Sequence, residues 1–165
     1  GFIFQDCNLL DTLTAGENIA LALSIVKVPG GQIPGRVREM ADLLGIGDCL
    51  NKYPYQMSGG QQQRCAAARA MITHPALVLA DEPTGALDAK AAGELLRLFE
   101  AVNRDGQTIL MVTHSVQAAS HAGRVLFIKD GTVFHQIYRG DATDEELYQK
   151  ISDTLTILAT GGDRA

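Results

Sequence analysis

The chain has 165 residues, 46% hydrophobic and 20% charged, which is enough to bury a core and too apolar for a disordered segment. A formal charge of −5 argues against a dedicated nucleic-acid binder, which needs a basic face. Three scattered cysteines, Cys7, Cys49 and Cys65, suit neither a disulfide framework nor a zinc site and read as the reduced thiols of a cytosolic protein.

Gly1–Phe4 reads as the end of a buried strand that stops at Gln5. An apolar strand without a starting Met leads us to expect a further N-terminal part outside the sequence. From Asp6 to about Arg69 the pattern is helical and loop-like. Thr14-x-x-Glu17 is a capping box, followed by Ile19, Leu23 and Val26 at helical spacing. Ser24 and Lys27 interrupt the longest apolar run, Ile19–Val28, well below the ~18 residues of a membrane span, so no direct membrane insertion is expected. Pro29-Gly30-Gly31 breaks this helix and Pro34-Gly35 marks the far side of the loop. A second helix is predicted over roughly Arg36–Leu44, ended by Gly45 and Gly47, and Tyr53-Pro54-Tyr55 is a turn.

Ser58-Gly59-Gly60-Gln61 forms another capping box and opens an Ala-rich helix to Met71, closed by His74-Pro75. Ala76–Ala80 and Thr108–Thr113 have the look of fully buried parallel strands, with an amphipathic helix over Ala89–Asn103 between them. Val116–His121 is a short helix. Arg124–Ile128 and Thr132–Tyr138 flank Asp130-Gly131, a hairpin signal. Thr143-x-x-Glu146 caps a last helix toward Leu158, and the Gly161-Gly162 tail is expected to be loose. Alternating strands and helices give an α/β fold with a parallel-sheet core and a helical insert.

Four features carry chemistry. Asp81 and Glu82 follow a buried strand directly, at the edge where ligands of α/β sheets bind. An Asp there suits Mg²⁺, which prefers oxygen ligands, and the next carboxylate can poise a water for attack on a phosphoryl group. Ser58, Gly59 and Gly60 open a helix whose free N–H groups and dipole favour an anion. His114 follows a strand, where a neutral imidazole can hydrogen-bond a terminal phosphate. Gln5 ends a strand at the entry to the helical insert, within reach of a metal or water. Each has a plain alternative: acids at a strand end, an ordinary N-cap, a surface histidine, a loop glutamine.

Taken in order, the features resemble the nucleotide-binding subunit of an ATP-binding-cassette (ABC) transporter over nearly the whole chain. Met57-Ser58-Gly59-Gly60-Gln61-Gln62-Gln63-Arg64 is similar to the family signature, with Met where Leu is usual. Gln5 matches the Q-loop, Asp81 the Walker B acid, Glu82 the catalytic glutamate, Ala86-Leu87-Asp88 the D-loop and His114 the switch histidine. Ser115 stands where the family often has Asp. Gly1-Phe2-Ile3-Phe4-Gln5-Asp6 and Asn8-Leu9-Leu10-Asp11-Thr12-Leu13-Thr14 resemble the subfamily that works with FtsX-like permeases. Ala80–Asp88, Arg124–Gly131 and Tyr138–Asp141 look most like its bacitracin-resistance type, which handles or senses antimicrobial peptides.

The resemblance implies ATP and Mg²⁺ as ligands, with Gln5 and Asp81 on the metal side. Glu82 would be the base and His114 a brace on the γ-phosphate. Ser58, Gly59, Gly60 and Gln61 would cover a nucleotide held by a second ATP-binding subunit in a head-to-tail dimer, with Asp88 working across the interface. The partners implied are that second subunit and an FtsX-like permease, with the protein cytoplasmic and peripheral at the inner face of the plasma membrane. No Gly-x-x-x-x-Gly-Lys-Ser/Thr occurs, and none of Lys27, Lys52, Lys90, Lys129 or Lys150 follows a glycine. The fold expected is therefore the C-terminal two-thirds of a P-loop NTPase-like ABC domain. It divides into a core strand end and Q-loop (1–5), a helical signature subdomain (6–70), an α/β ATPase core (71–141) and a C-terminal helix and tail (142–165). Such a chain is expected to bind ATP weakly or not at all alone, and to leave apolar sheet surface uncovered. Two alternatives remain within the family: a regulatory partial cassette that pairs with a complete one, and a non-transport ATPase. The short Gln5–Ser58 segment, without heptads, disfavours the second. A soluble α/β domain with chance motifs is the third.

Overall fold

The computed structural model describes residues 1–160; the tail expected to be loose at Gly161-Gly162 lies outside them. The chain forms two compact units, Gly1–Val112 and the residues from Thr113 onward. In the first, three parallel strands lie in the order β1 (Phe2–Ile3), β2 (Val78–Asp81), β3 (Ile109–Val112). Ile3 is opposite Ala80, and Ala80 and Asp81 are opposite Met111 and Val112.

Four helices accompany the sheet: α1 (Ala15–Ile25), α2 (Ile33–Leu43), α3 (Gly59–Met71) and α4 (Ala89–Arg104). The expected capping box at α1 is present, with reciprocal bonds between Thr14 and Glu17. The α2 helix begins three residues before the expected Arg36. Pro34 sits in its first turn, where a missing N–H costs nothing, rather than in the loop before it. Tyr53-Pro54-Tyr55 leads into a short 3₁₀ turn, Pro54–Gln56. The α3 helix buries Cys65, Ala66, Ala67, Ala68, Ala70 and Met71. Its small side chains let α1, α2, α4 and β1 all pack against it.

Ile3, Ile19, Leu23, Leu44, Ile46, Ile72, Val78 and Leu95 form the fully buried centre. Each such side chain stabilises the fold by about 1.5–3 kcal/mol. The expectation of strands buried on both faces is corrected for β3, and the expected uncovered apolar sheet surface is present there. Val78 and Ala80 point into this core, but Leu110 and Val112 of β3 are exposed. Within the first unit, the helices cover one face of the sheet.

The second unit pairs β4 (Arg124–Lys129) with β5 (Thr132–Tyr138) as the expected hairpin, with a bulge at Phe127/Ile128. Asp130 (φ 51°) and Gly131 (φ 76°) supply the left-handed pair that a two-residue turn needs. Phe127 packs with Leu147 and Ile151 of α6 (Asp144–Thr160), and with Val116 and Ala119 of α5 (Val116–Ala119). Thr143 and Glu146 exchange the expected capping bonds at 2.8 and 3.2 Å, and the Thr143 N–H and hydroxyl, both donating to Glu146 Oε2, hold that carboxyl below its ordinary range. Arg139 ties the loop before α6 to Ser120 O at 2.9 Å and to the Asp144 carboxylate. Among the described residues no helix is long and apolar enough to cross a membrane.

Candidate functional site

The carboxyl end of β2 organises the site. Asp81, its last residue, is exposed. The ladder continues one step further, with Glu82 N donating to Val112 O at 2.9 Å, and then the chain reverses. Gly85 N bonds Glu82 O at 3.0 Å and Leu87 N bonds Thr84 O at 3.1 Å. The reversal places Glu82 at φ +43°, in the left-handed region. For a side chain bearing Cβ this costs about 1–3 kcal/mol, and the following Pro83 restricts the residue further. Strain of this kind persists where the surroundings impose it and is concentrated at functional positions.

Gln5 comes to the same turn. It lies two residues past Ile3, whose partner is Ala80. Its amide rests on Gly85: a Cβ there would come within 3.0 Å of Gln5 Cδ and 3.1 Å of Nε2. Gly85 is thus the residue that admits the Gln5 side chain beside the Asp81–Glu82 turn. An exposed carboxylate and a carboxamide at one sheet edge are hard oxygen donors, a set that suits Mg²⁺.

The Ser58 motif packs on the continuation of this segment. Ser58 caps α3: its Oγ accepts from Gln61 N at 3.3 Å, and Gln61 Oε1 accepts from Ser58 N at 3.0 Å. Asp88 caps α4 in the same way, accepting from Ala91 N at 2.8 Å. The two helix starts are neighbours. A Cβ on Gly59 would lie 3.7 Å from Leu87 Cδ2, and one on Gly60 would lie 3.0 Å from Ala91 Cβ. Residues 82–91 therefore bridge the Gln5–Asp81–Glu82 group and the Ser58–Gln61 group. His114 lies in the second unit and is not among the residues that the first unit brings together. The neighbouring Ser115 caps α5, accepting from Ala118 N at 3.1 Å, a task a serine performs as well as an aspartate.

Three side chains hold the segment around Gln5 in place through contacts that their positions in the sequence do not reveal. Gln63 is fully buried; its Nε2 donates to Phe4 O at 2.9 Å and its Oε1 accepts from Cys7 Sγ at 2.6 Å. Arg69 donates to Cys7 O at 3.0 Å and Asn8 O at 2.7 Å. Asn18, also fully buried, donates to the carbonyls of Leu10, Leu13 and Thr14 at 3.0–3.1 Å and accepts from Leu10 N at 2.8 Å. Cys7 (φ 58°) and Asn8 (φ 47°) are consecutive left-handed residues. Burial, aided by the charge of Asp6, pushes the Cys7 thiol up to about 11, so it remains a proton donor at neutral pH. The one available sequence signal is an Asn inside the apolar periodicity of α1, where its helix propensity is poor.

The family model described as ABC transporter matches residues 1–85. The chain is 51% identical over 164 residues to an uncharacterized ABC transporter ATP-binding protein, YvcR of Bacillus subtilis (strain 168), covering 99% of this chain and 62% of the relative. It is 48% identical over 159 residues to the bacitracin export ATP-binding protein BceA of Halalkalibacterium halodurans, covering 96% and 63%. The chain thus spans less than two thirds of the length of these relatives. Its fold is similar to the dimeric structure of MJ0796, a bacterial ABC transporter cassette, with a TM-score of 0.73 and 38% identity over 84% of this chain and 62% of that one. A post-hydrolysis state of the same cassette, bound to ADP and Pi, matches at a TM-score of 0.72 and 37% identity, with the same coverage.

Proposed function

Because the chain belongs to the ABC transporter family, we propose that it supplies the hydrolytic edge and the signature of a cassette that couples ATP hydrolysis to a membrane permease. The observation that carries this reading is the convergence of Gln5, Asp81 and a strained Glu82 on one sheet edge, with the Ser58 helix start packed on the same 82–91 segment. Glu82 is the base that takes the proton of the attacking water, and its backbone fixes where that carboxylate begins. Asp81 and the Gln5 amide are the oxygen donors for Mg²⁺, which when bound neutralises phosphate charge. Ser58 and the Gly59 and Gly60 amides contact the γ-phosphate of a nucleotide bound to a second subunit, and Gln61 holds Ser58 in its capping geometry. Asp88 acts at that interface, and His114 braces the γ-phosphate. Each helix-terminus contact is worth only about 0.3–1 kcal/mol, so the signature assembles the shared site and Glu82 supplies the rate.

The sequence holds no Gly-x-x-x-x-Gly-Lys-Ser/Thr, so this reading assigns the grip on the nucleotide to residues outside these 165. The partner chemistry follows the relatives. One bears the name of a bacitracin exporter and the solved cassette is dimeric, which supports a dimer acting on antimicrobial peptides; its head-to-tail pairing and FtsX-like permease follow from the motif resemblance. The site of action is the cytoplasmic face of the plasma membrane. In the full-length protein, Glu82→Gln is expected to lower turnover by about 10²–10⁴-fold. The same change should trap an ATP-bound dimer, visible by size-exclusion chromatography. Turnover near the wild-type rate removes Glu82 from the role of base and the reading with it.

A further inference from the structure

The segment that carries Gln5 is gripped on both sides of that residue by one helix. Before Gln5, Phe4 O accepts from Gln63 Nε2; after it, Cys7 Sγ donates to Gln63 Oε1. One step further, the carbonyls of Cys7 and Asn8 both accept from the guanidinium of Arg69. All these contacts come from α3, and the start of α3 is Ser58-Gly59-Gly60. We propose that Gln63 and Arg69 are positioning residues that lock the Gln5 segment to the signature helix. A shift at Gln5 then reaches Ser58–Gly60 as the movement of one body. The proposal rests on the cassette reading for its purpose, though its geometry does not require a nucleotide.

Three physical features make the lock effective. Gln63 is buried, so breaking its bonds leaves its own amide without water to replace them. Cys7 and Asn8 are left-handed without being glycine, a conformation retained where neighbours impose it, and Arg69 holds both of their carbonyls. Arg69 does this with a planar fork that a lysine ammonium cannot reproduce. A helix of 13 residues is about 20 Å long and stiff over that length. Ser58 is joined to it by two capping bonds, so the signature donors travel with the helix. Asn18 anchors the far side of the same segment to α1, which packs on α3. Gln5 therefore belongs mechanically to the helices, while its amide rests on the Gly85 turn beside Glu82.

The test is hydrogen exchange read by mass spectrometry on the chain with Arg69→Ala, Arg69→Lys and Gln63→Met, without nucleotide. Loss of the lock is expected to raise exchange together at residues 5–8 and 58–62, on the order of tenfold for Arg69→Ala and less for Arg69→Lys. Faster exchange confined to 5–8 overturns the proposal. If Arg69→Ala unfolds outright, the Arg69→Lys pattern decides, because the lysine keeps the charge and loses the fork. In the full-length ATPase, Arg69→Lys is expected to lower kcat several-fold, roughly 3–10, and to leave KM for ATP within about twofold, because nucleotide grip lies elsewhere. An unchanged kcat also overturns it. Failure of the cassette reading looks different: Glu82→Gln then turns over normally, whatever the exchange pattern.

Discussion

Glu82 combines the most reactive assignment in the chain with one of its most strained backbones. That an acid follows β2 is legible in the sequence, because an apolar run ending in Asp-Glu places carboxylates at a strand end. Its φ of +43° is not legible, since nothing about a Glu before Pro83 calls for a left-handed residue. The conformation is imposed by the Val112 and Gly85 hydrogen bonds on either side of its peptide groups. This makes stability and activity separable at one position. Glu82→Gly removes the Cβ penalty of about 1–2 kcal/mol and adds back about 0.5–1 kcal/mol of unfolded-chain entropy. The variant is expected to unfold at higher urea than wild type by about 0.5–1 kcal/mol. Glu82→Ala keeps the strain and gains nothing. A Glu82→Gly urea midpoint below that of Glu82→Ala, by the glycine's entropy cost alone, shows that the turn carries no strain.

Among the elements, the legible features are those whose signals are local. The capping boxes at Thr14, Ser58 and Thr143 each span only four residues of sequence, and all three form. The Asp130-Gly131 turn is of the same kind. The burial of β3 is set by which layer lies over each face, so its apolar run reads as doubly covered and is not. The grip of Gln63, Arg69 and Asn18 on the Gln5 segment likewise depends on helices meeting a loop far away in the chain. The close approach of α3 and α4 tests how the signature is seated. Gly60→Ala puts a methyl 3.0 Å from Ala91 Cβ, closer than carbon atoms pack. The expected cost is about 1–3 kcal/mol of overpacking. Adding Ala91→Gly should return part of it despite the poorer helix propensity, so a double-mutant cycle by urea unfolding gives a favourable coupling. Strict additivity of the two changes means that the helix starts do not touch.

At the scale of the whole molecule, the three-stranded sheet of the first unit is half-covered. Parallel sheets are normally buried on both faces. Here Ile3, Val78 and Ala80 face the helices, while Phe2, Phe4, Leu110 and Val112 stand 38–58% exposed on strands or their ends. The Phe2 and Phe4 rings stack on each other at 4.3 Å, which buries only part of their apolar area. Covering a side chain of this size gains about 1.5–3 kcal/mol when complete, so this group is a continuous apolar surface on one face of the sheet of the first unit. It drives association wherever nothing else lies over it. The chain is expected to sediment as a concentration-dependent mixture above monomer mass at roughly micromolar concentrations and higher, the range in which exposed apolar surface and sheet edges associate. Leu110→Glu together with Val112→Glu places two charges on that face without entering the core. The double variant should sediment as a monomer and keep its melting temperature within a few degrees, as expected for surface changes of at most ~0.5 kcal/mol each. Association that survives both glutamates assigns it to a different surface, and a large loss of melting temperature means that Leu110 and Val112 are covered within the monomer.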